Sequence, residues 1–181
     1  MSTPSAKVVI DVQAVEILRS GITAGVIPSK FLVSLDLNNG TTDGSIDLVY
    51  AVSESGITAS TITSYDLSGS LKNAFGQAVV FAEVCFIALR NTRTTALAFL
   101  DIGPHATNGF GRVASSRGFW PPDIAADADQ GSIVAPDSWI IMYAKDGVPV
   151  TAGSADILRV STSSVVGSAN AWDLLIFGRS A

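Results

Sequence analysis

His105 is the chain's only histidine, set in Gly103-Pro104-His105-Ala106, and Cys85 its only cysteine, set in Val84-Cys85-Phe86-Ile87. One imidazole excludes a zinc site built on several histidines, and one thiol excludes an intrachain disulfide or a thiolate cage. The apolar neighbours of Cys85 suit a buried inert thiol better than a nucleophile, and the loop around His105 suits a surface histidine better than a catalyst. A Ser/His/Asp triad needs only one residue of each kind, yet no Gly-x-Ser-x-Gly elbow frames a serine. Gly109-Phe110-Gly111 opens like a dinucleotide fingerprint, but Ala114 stands where the third glycine belongs and no βαβ pattern surrounds it. Asp123, Asp127 and Asp129 form the one dense acidic group, a solvated loop or a calcium site whose spacing departs from the EF-hand template. Trp120, Trp139 and Trp172 could stack on a sugar, although Trp139 and Trp172 sit in strand-like runs that suit core or interface anchors. No cofactor or metal is implied by these residues, and the chain reads as a protein without a catalytic constellation.

The elements that must carry such residues are strands. Phe31, Val33, Leu35 and Leu37 alternate with Leu32, Ser34, Asp36 and Asn38, and after the turn-forming Asn38–Gly44 the alternation resumes at Ile46, Leu48, Tyr50 and Val52. That pattern predicts a hairpin. Further strands are expected over Ile57–Leu67 and Ala96–Ile102, and Ala78–Leu89 reads as a central strand covered on both faces, with Glu83 reaching water or a partner. Ser70–Gly76 is a helical turn or a loop. Lys145-Asp146-Gly147 predicts a tight turn between strands over Ser138–Ala144 and Val148–Thr151, and Asp156–Ser161 with Ala171–Phe177 forms a last pair. Residues 103–131 lack a sustained period, as a functional or partner-ordered loop would. Without a long amphipathic helix to cross over a parallel sheet, the expected fold is an all-β antiparallel sandwich over residues 30–181. Residues 1–29 read either as an extended arm or as an edge strand of the same sheet.

Composition bounds the partners. The 181 residues are 48% hydrophobic and only 15% charged, with sixteen acidic and eleven basic residues giving a net charge of −5. Soluble domains carry roughly a quarter charged residues, so part of this surface is expected to be covered by neighbours in a homo-oligomer. No Lys/Arg cluster offers a nucleic-acid surface. The apolar run Ala78–Leu89 contains Glu83 and is shorter than the roughly 20 residues of a membrane helix. Met1–Lys7 lacks the regions of a signal peptide, so export by that route is not indicated and synthesis in a cytoplasm is expected, and Asn39-Gly40-Thr41 is a turn rather than a glycosylation site.

Three stretches resemble small structural proteins of tailed-bacteriophage virions. They are Asp66–Leu71 running through Ala74–Val84 to Leu89-Arg90-Asn91-Thr92, then Val148–Val160, then Asp173–Ser180. The likeness spans residues 48 to 181 and points to the cement or decoration type. It implies a jelly-roll-like fold on the capsid exterior, clamping neighbouring major capsid protein subunits as trimers or dimers. Candidate interface residues are Val8, Ile10, Val12, Ile17 and Leu18 in the arm, with Phe110, Phe119 and Trp120 in the irregular segment. Deleting residues 1–29 is expected to leave the β domain folded and to weaken its attachment to heads.

Overall fold

The computed structural model describes residues 6–20, 23–111, 118–120, 131–163 and 169–181. Among these the chain is all β. Its strands are β1 (Ala6–Ser20), β2 (Thr23–Asn39), β3 (Ser45–Ile46), β4 (Leu48–Ile57), β5 (Ile62–Asp66), β6 (Leu71–Lys72) and β7 (Ala78–Val79). They continue as β8 (Glu83–Asn91), β9 (Leu100–Pro104), β10 (Ser132–Val134), β11 (Trp139–Pro149), β12 (Ile157–Thr162) and β13 (Asn170–Arg179). Two four-stranded antiparallel sheets, ordered β10-β9-β12-β5 and β11-β8-β13-β4, hold eight of these strands.

The sheets pack face to face because each strand commits one parity of residues to apolar side chains. In β13, Trp172, Leu174 and Ile176 point inward, alongside Ile87 and Leu89 of β8 and Tyr50 of β4. They meet Tyr65, Leu100, Ile102, Leu158 and Val160 from the other sheet. Tyr50 and Tyr65 meet edge to face at 6.1 Å, and the fully buried Trp172 donates its indole N–H to the Tyr65 hydroxyl at 2.9 Å. That bond ties the layers together at the centre of the core. Trp172→Phe removes the donor and leaves a partial cavity, and is expected to destabilise by about 2 kcal/mol in urea titrations, whereas Tyr65→Phe, which deletes only the hydroxyl, should cost less.

β8 is the central strand foreseen over Ala78–Leu89, buried on both faces from Val84 to Leu89 between β11 and β13. It begins only at Glu83, after the short β7. β13 approaches it closely enough that a Cβ on Gly178 would stand 2.2 Å from the Glu83 carbonyl oxygen, so no larger residue fits there.

Several pairings differ from the expectation. Phe31–Leu37 belongs to β2, whose antiparallel partner is β1 in a register running from Ala6↔Leu37 to Ser20↔Thr23. The segment Ile46–Val52 is not its hairpin mate: β3 runs parallel to the end of β2, and β4 pairs with β13. Alternation reports which side of a strand is apolar and not which strand lies beside it. The Lys145-Asp146-Gly147 turn chemistry serves a bulge instead of a hairpin, since β11 pairs with β8 on both sides of it, at Tyr143↔Phe86 and Val148↔Val84. Gly147 takes the required left-handed conformation with φ of 71°. β12 and β13 lie in opposite sheets rather than forming a last pair. Ser70–Gly76 is no helical turn. It lies in the β6–β7 ladder and its turn, held by the Asn73 carboxamide oxygen, which accepts the N–H groups of Phe75 and Gln77. Strand bounds also shift: the Ile57–Leu67 strand narrows to β5, and β9 starts at Leu100 but runs through Gly103. β2 passes without interruption through Ser29, where the arm was expected to end.

Candidate binding face

The face of the β11-β8-β13-β4 sheet turned away from the core is built in rows, because residues paired across antiparallel strands share a side. Trp139, Arg90, Asp173 and Ser53 form the first row. Ile141, Ala88, Leu175 and Ala51 form the second, and Tyr143, Phe86, Phe177 and Val49 the third.

The rows differ in what covers them. In the third, Phe86 and Phe177 stack with centroids 5.2 Å apart beneath Leu37 and Ile46, and Ala6, Val8 and Leu35 pack against the same cluster. The base of the β1/β2 ribbon thus seals one end of the face. Beyond it, and along β11 at the sheet's edge, the face is open: Trp139 is 60% exposed, Ile141 42% and Tyr143 41%. Because the second row has only methyl groups at Ala88 and Ala51, a trough of about 300 Å³ opens there, lined by Ala51, Ser53, Ala88, Trp139, Asp173 and Leu175.

The first row supplies a polar rim. The Arg90 guanidinium lies 5.2 Å from the Trp139 ring centre, in cation–π range, with Asp137 at 3.9 Å. Asp173 accepts the Ser53 hydroxyl proton at 2.7 Å. An apolar floor with a stacked cation and an exposed indole at one end suits binding by burial and stacking.

The residues singled out for chemistry are dispersed. Cys85 is buried, and burial pushes its thiol up from 9.0 although nearby Arg179 pulls it down. His105 Nδ1 accepts the N–H of Thr107 in its own loop. Asp123, Asp127 and Asp129, and Ala114 of the fingerprint, lie outside the described residues. Among the described residues no three His, Cys, Asp or Glu gather as a metal site would require, and no helix is long and apolar enough to cross a membrane. Trp120 and Trp172 are in the core, so only Trp139 presents an indole to solvent.

Burial also raises the Tyr65 hydroxyl far above its ordinary value of 10.0. Cys85 and Tyr65 are neutral when protonated and titrate higher folded than unfolded, so their stabilisation is fully present below pH 9 and is lost as pH climbs past their ordinary values of 9.0 and 10.0. The melting temperature is expected to fall above about pH 9.5, and Cys85→Ala should remove the lower-pH part of that fall. Thiol reagents are expected to label Cys85 only in denaturant.

The anchors proposed in the irregular segment need correction. Phe110 and Trp120 are buried, and Phe119 bridges them at ring separations of 6.1 and 6.0 Å. Phe110 and Trp120 thus belong to the core of the chain, with Phe119 part-exposed against it; an aperiodic stretch carries no parity that would show this. Val8 is half-buried at the ribbon base. Ile10, Val12, Ile17 and Leu18 fall in β1, with side chains outside the described residues. The residues that sequence reasoning missed are Ile141 and Tyr143, with Trp139 left undecided between core and interface. The signal was there: Trp139-Ile140-Ile141-Met142-Tyr143 is apolar at both parities, and in a two-layer sandwich the outward parity has no core to fill.

Fold and face together describe a β-sandwich with an open apolar trough on one sheet and a long two-stranded ribbon beside it. Compared with known proteins, the chain matches no family model, no curated protein and no solved structure.

Proposed function

We propose that the protein is a non-enzymatic virion component of a tailed bacteriophage. In this reading it is made in the host cytoplasm and assembled as a dimer or trimer on the capsid exterior, where it cements neighbouring major capsid protein subunits. The observation that carries the assembly part is the uncovered Trp139/Ile141/Tyr143 side of the sheet, an apolar surface of the kind that marks interaction sites. The sequence resemblance supplies the virion. The strand order supports its jelly-roll-like part: β4, β8, β11 and β13 fill one sheet and β5, β9, β10 and β12 the other, so the chain alternates between layers except at β9–β10.

A cement protein works by raising the free energy needed to pull capsid subunits apart, through the surface each copy buries between them. Purified heads are expected to contain it in large copy number, and heads lacking it should open at lower temperature or lower denaturant concentration. Scarcity in heads with enrichment in tails would overturn the placement. Trp139, with Arg90 stacked on it, favours a second reading, a tail-tip module that binds host carbohydrate. Glycan binding that disappears in Trp139→Ala would select it.

A further inference from the structure

We infer that the trough on the β11-β8-β13-β4 sheet receives the β1/β2 ribbon of a second copy of this chain. The inference deepens the assembly reading and rests on its self-association alone, not on the capsid. The chain already makes one contact of this kind. At the ribbon base, the pairs Ala6↔Leu37 and Val8↔Leu35 pack on the third row of the sheet. Every second pair along the ladder has the same parity, and the next two are Ile10↔Val33 and Val12↔Phe31, all apolar. The intervening pairs Lys7↔Asp36, Val9↔Ser34, Asp11↔Leu32 and Gln13↔Lys30 are polar at six of eight positions, with Val9 and Leu32 the exceptions, and the first is an ion pair at 3.6 Å. The ribbon therefore continues, by register, the apolar pattern with which it covers the third row.

The sheet likewise continues the surface that accepts it. The second row lies next to the third, and Ile141 and Trp139 remain 42% and 60% exposed with the chain's own ribbon in place. The sheet thus carries an uncovered half of this kind of contact, and the ribbon carries, by register, more of the residue pattern that fills it. From Ile10 to Ser20 the ribbon extends roughly 35 Å at about 3.3 Å per residue, enough to reach a neighbouring molecule. The methyl floor of Ala88 and Ala51 leaves depth for side chains such as Val and Phe, and the Arg90/Asp173 row forms a polar rim at the trough's end. A ribbon-to-sheet contact joins two different patches, so reciprocal exchange closes a dimer and head-to-tail exchange closes a ring.

Sedimentation of the full chain at micromolar concentration tests this, with Ile141→Asp and Ala51→Arg blocking the trough and Val12→Asp blocking the ribbon. Phe31→Ser replaces Val12→Asp if that variant lacks the wild-type melting profile. Wild type is expected to self-associate, and each variant to do so at least about a hundredfold more weakly. Mixing Ile141→Asp with Val12→Asp is expected to restore a heterodimer, because one intact ribbon then meets one intact trough. A monomeric wild type, variants that associate normally, or a mixture that stays monomeric would each overturn the inference. If wild type is monomeric and Ile141→Asp loses head binding, the capsid subunit occupies the trough; the inference then fails and the cement reading stands. If exchange occurs but the protein never binds heads, the cement reading fails and the inference stands.

Discussion

Arg179→Ala is expected to lower the free energy of unfolding by about 3 kcal/mol and the melting temperature by roughly 6–12 °C. The Arg179 guanidinium is 1% exposed near the C-terminus of β13 and holds three separate parts of the chain. Nη2 meets Glu83 at 2.6 Å where β8 begins and donates to the Asp146 carbonyl at 2.7 Å in the β11 bulge. Nη1 donates to Asp43 at 3.1 Å, in the connection between β2 and β3. Removing the cation leaves Glu83 half-buried without its partner, and breaking a buried pair from one side typically costs about 3–5 kcal/mol. The lower end applies because Asp43 is largely exposed and Glu83 is 31% exposed, so water recovers part of the loss. Arg179→Lys keeps the charge but not the fork and should cost about half as much. Gly147→Ala probes the same knot from the other side: its Cβ would stand 2.6 Å from Nη2 at a φ of 71°, so it should destabilise even with the arginine intact. Equal stability of Arg179→Ala and wild type in guanidinium titration would show that these ion pairs do not hold the bulge.

This knot shows what the sequence could and could not convey. Glu83 stood out as an acid inside an apolar strand, and its need for water or a partner followed from the cost of burying a lone charge. Its partner lies near the other end of the chain, and nothing local couples the two. The Asp146-Gly147 pair was legible as a place needing positive φ, but a bulge and a hairpin ask for the same residues. Strand content and the two-faced burial of β8 were legible because periodicity is local. Pairing was not, since β2 could have folded against β4 as easily as against β1 on pattern alone. Phe110 and Trp120 were misplaced for a related reason: an aperiodic segment gives no parity, and only packing shows that its rings face the core. The trough was half legible, in the doubly apolar Trp139–Tyr143, and became a site only when β11 proved to be an edge strand and Ala88 and Ala51 proved to be its neighbours across the sheet.

Excising residues 10–33 and joining Val9 to Ser34 through an Asn-Gly turn is expected to leave thermal stability within a few degrees of wild type while abolishing self-association. Val9 and Ser34 are partners in the ladder, so a two-residue turn of that composition closes the shortened ribbon without changing its register. The pairs that seal the third row, Ala6↔Leu37 and Val8↔Leu35, remain on Phe86 and Phe177. Deleting residues 1–29 is a harsher operation than the sequence alone implied. It strips Ala6 and Val8 from that cluster and leaves the remaining half of β2 without its ladder partner, and should destabilise by about 2–4 kcal/mol through lost apolar burial. Comparing the two variants separates anchoring from reach. If ribbon reach drives assembly, the excised chain is a stable monomer with an open trough, and adding a synthetic hairpin of residues 6–37 should occupy that trough and quench or shift Trp139 fluorescence. If the excised chain still associates as wild type does, the ribbon beyond its base serves no contact between copies, and the trough must find its partner elsewhere.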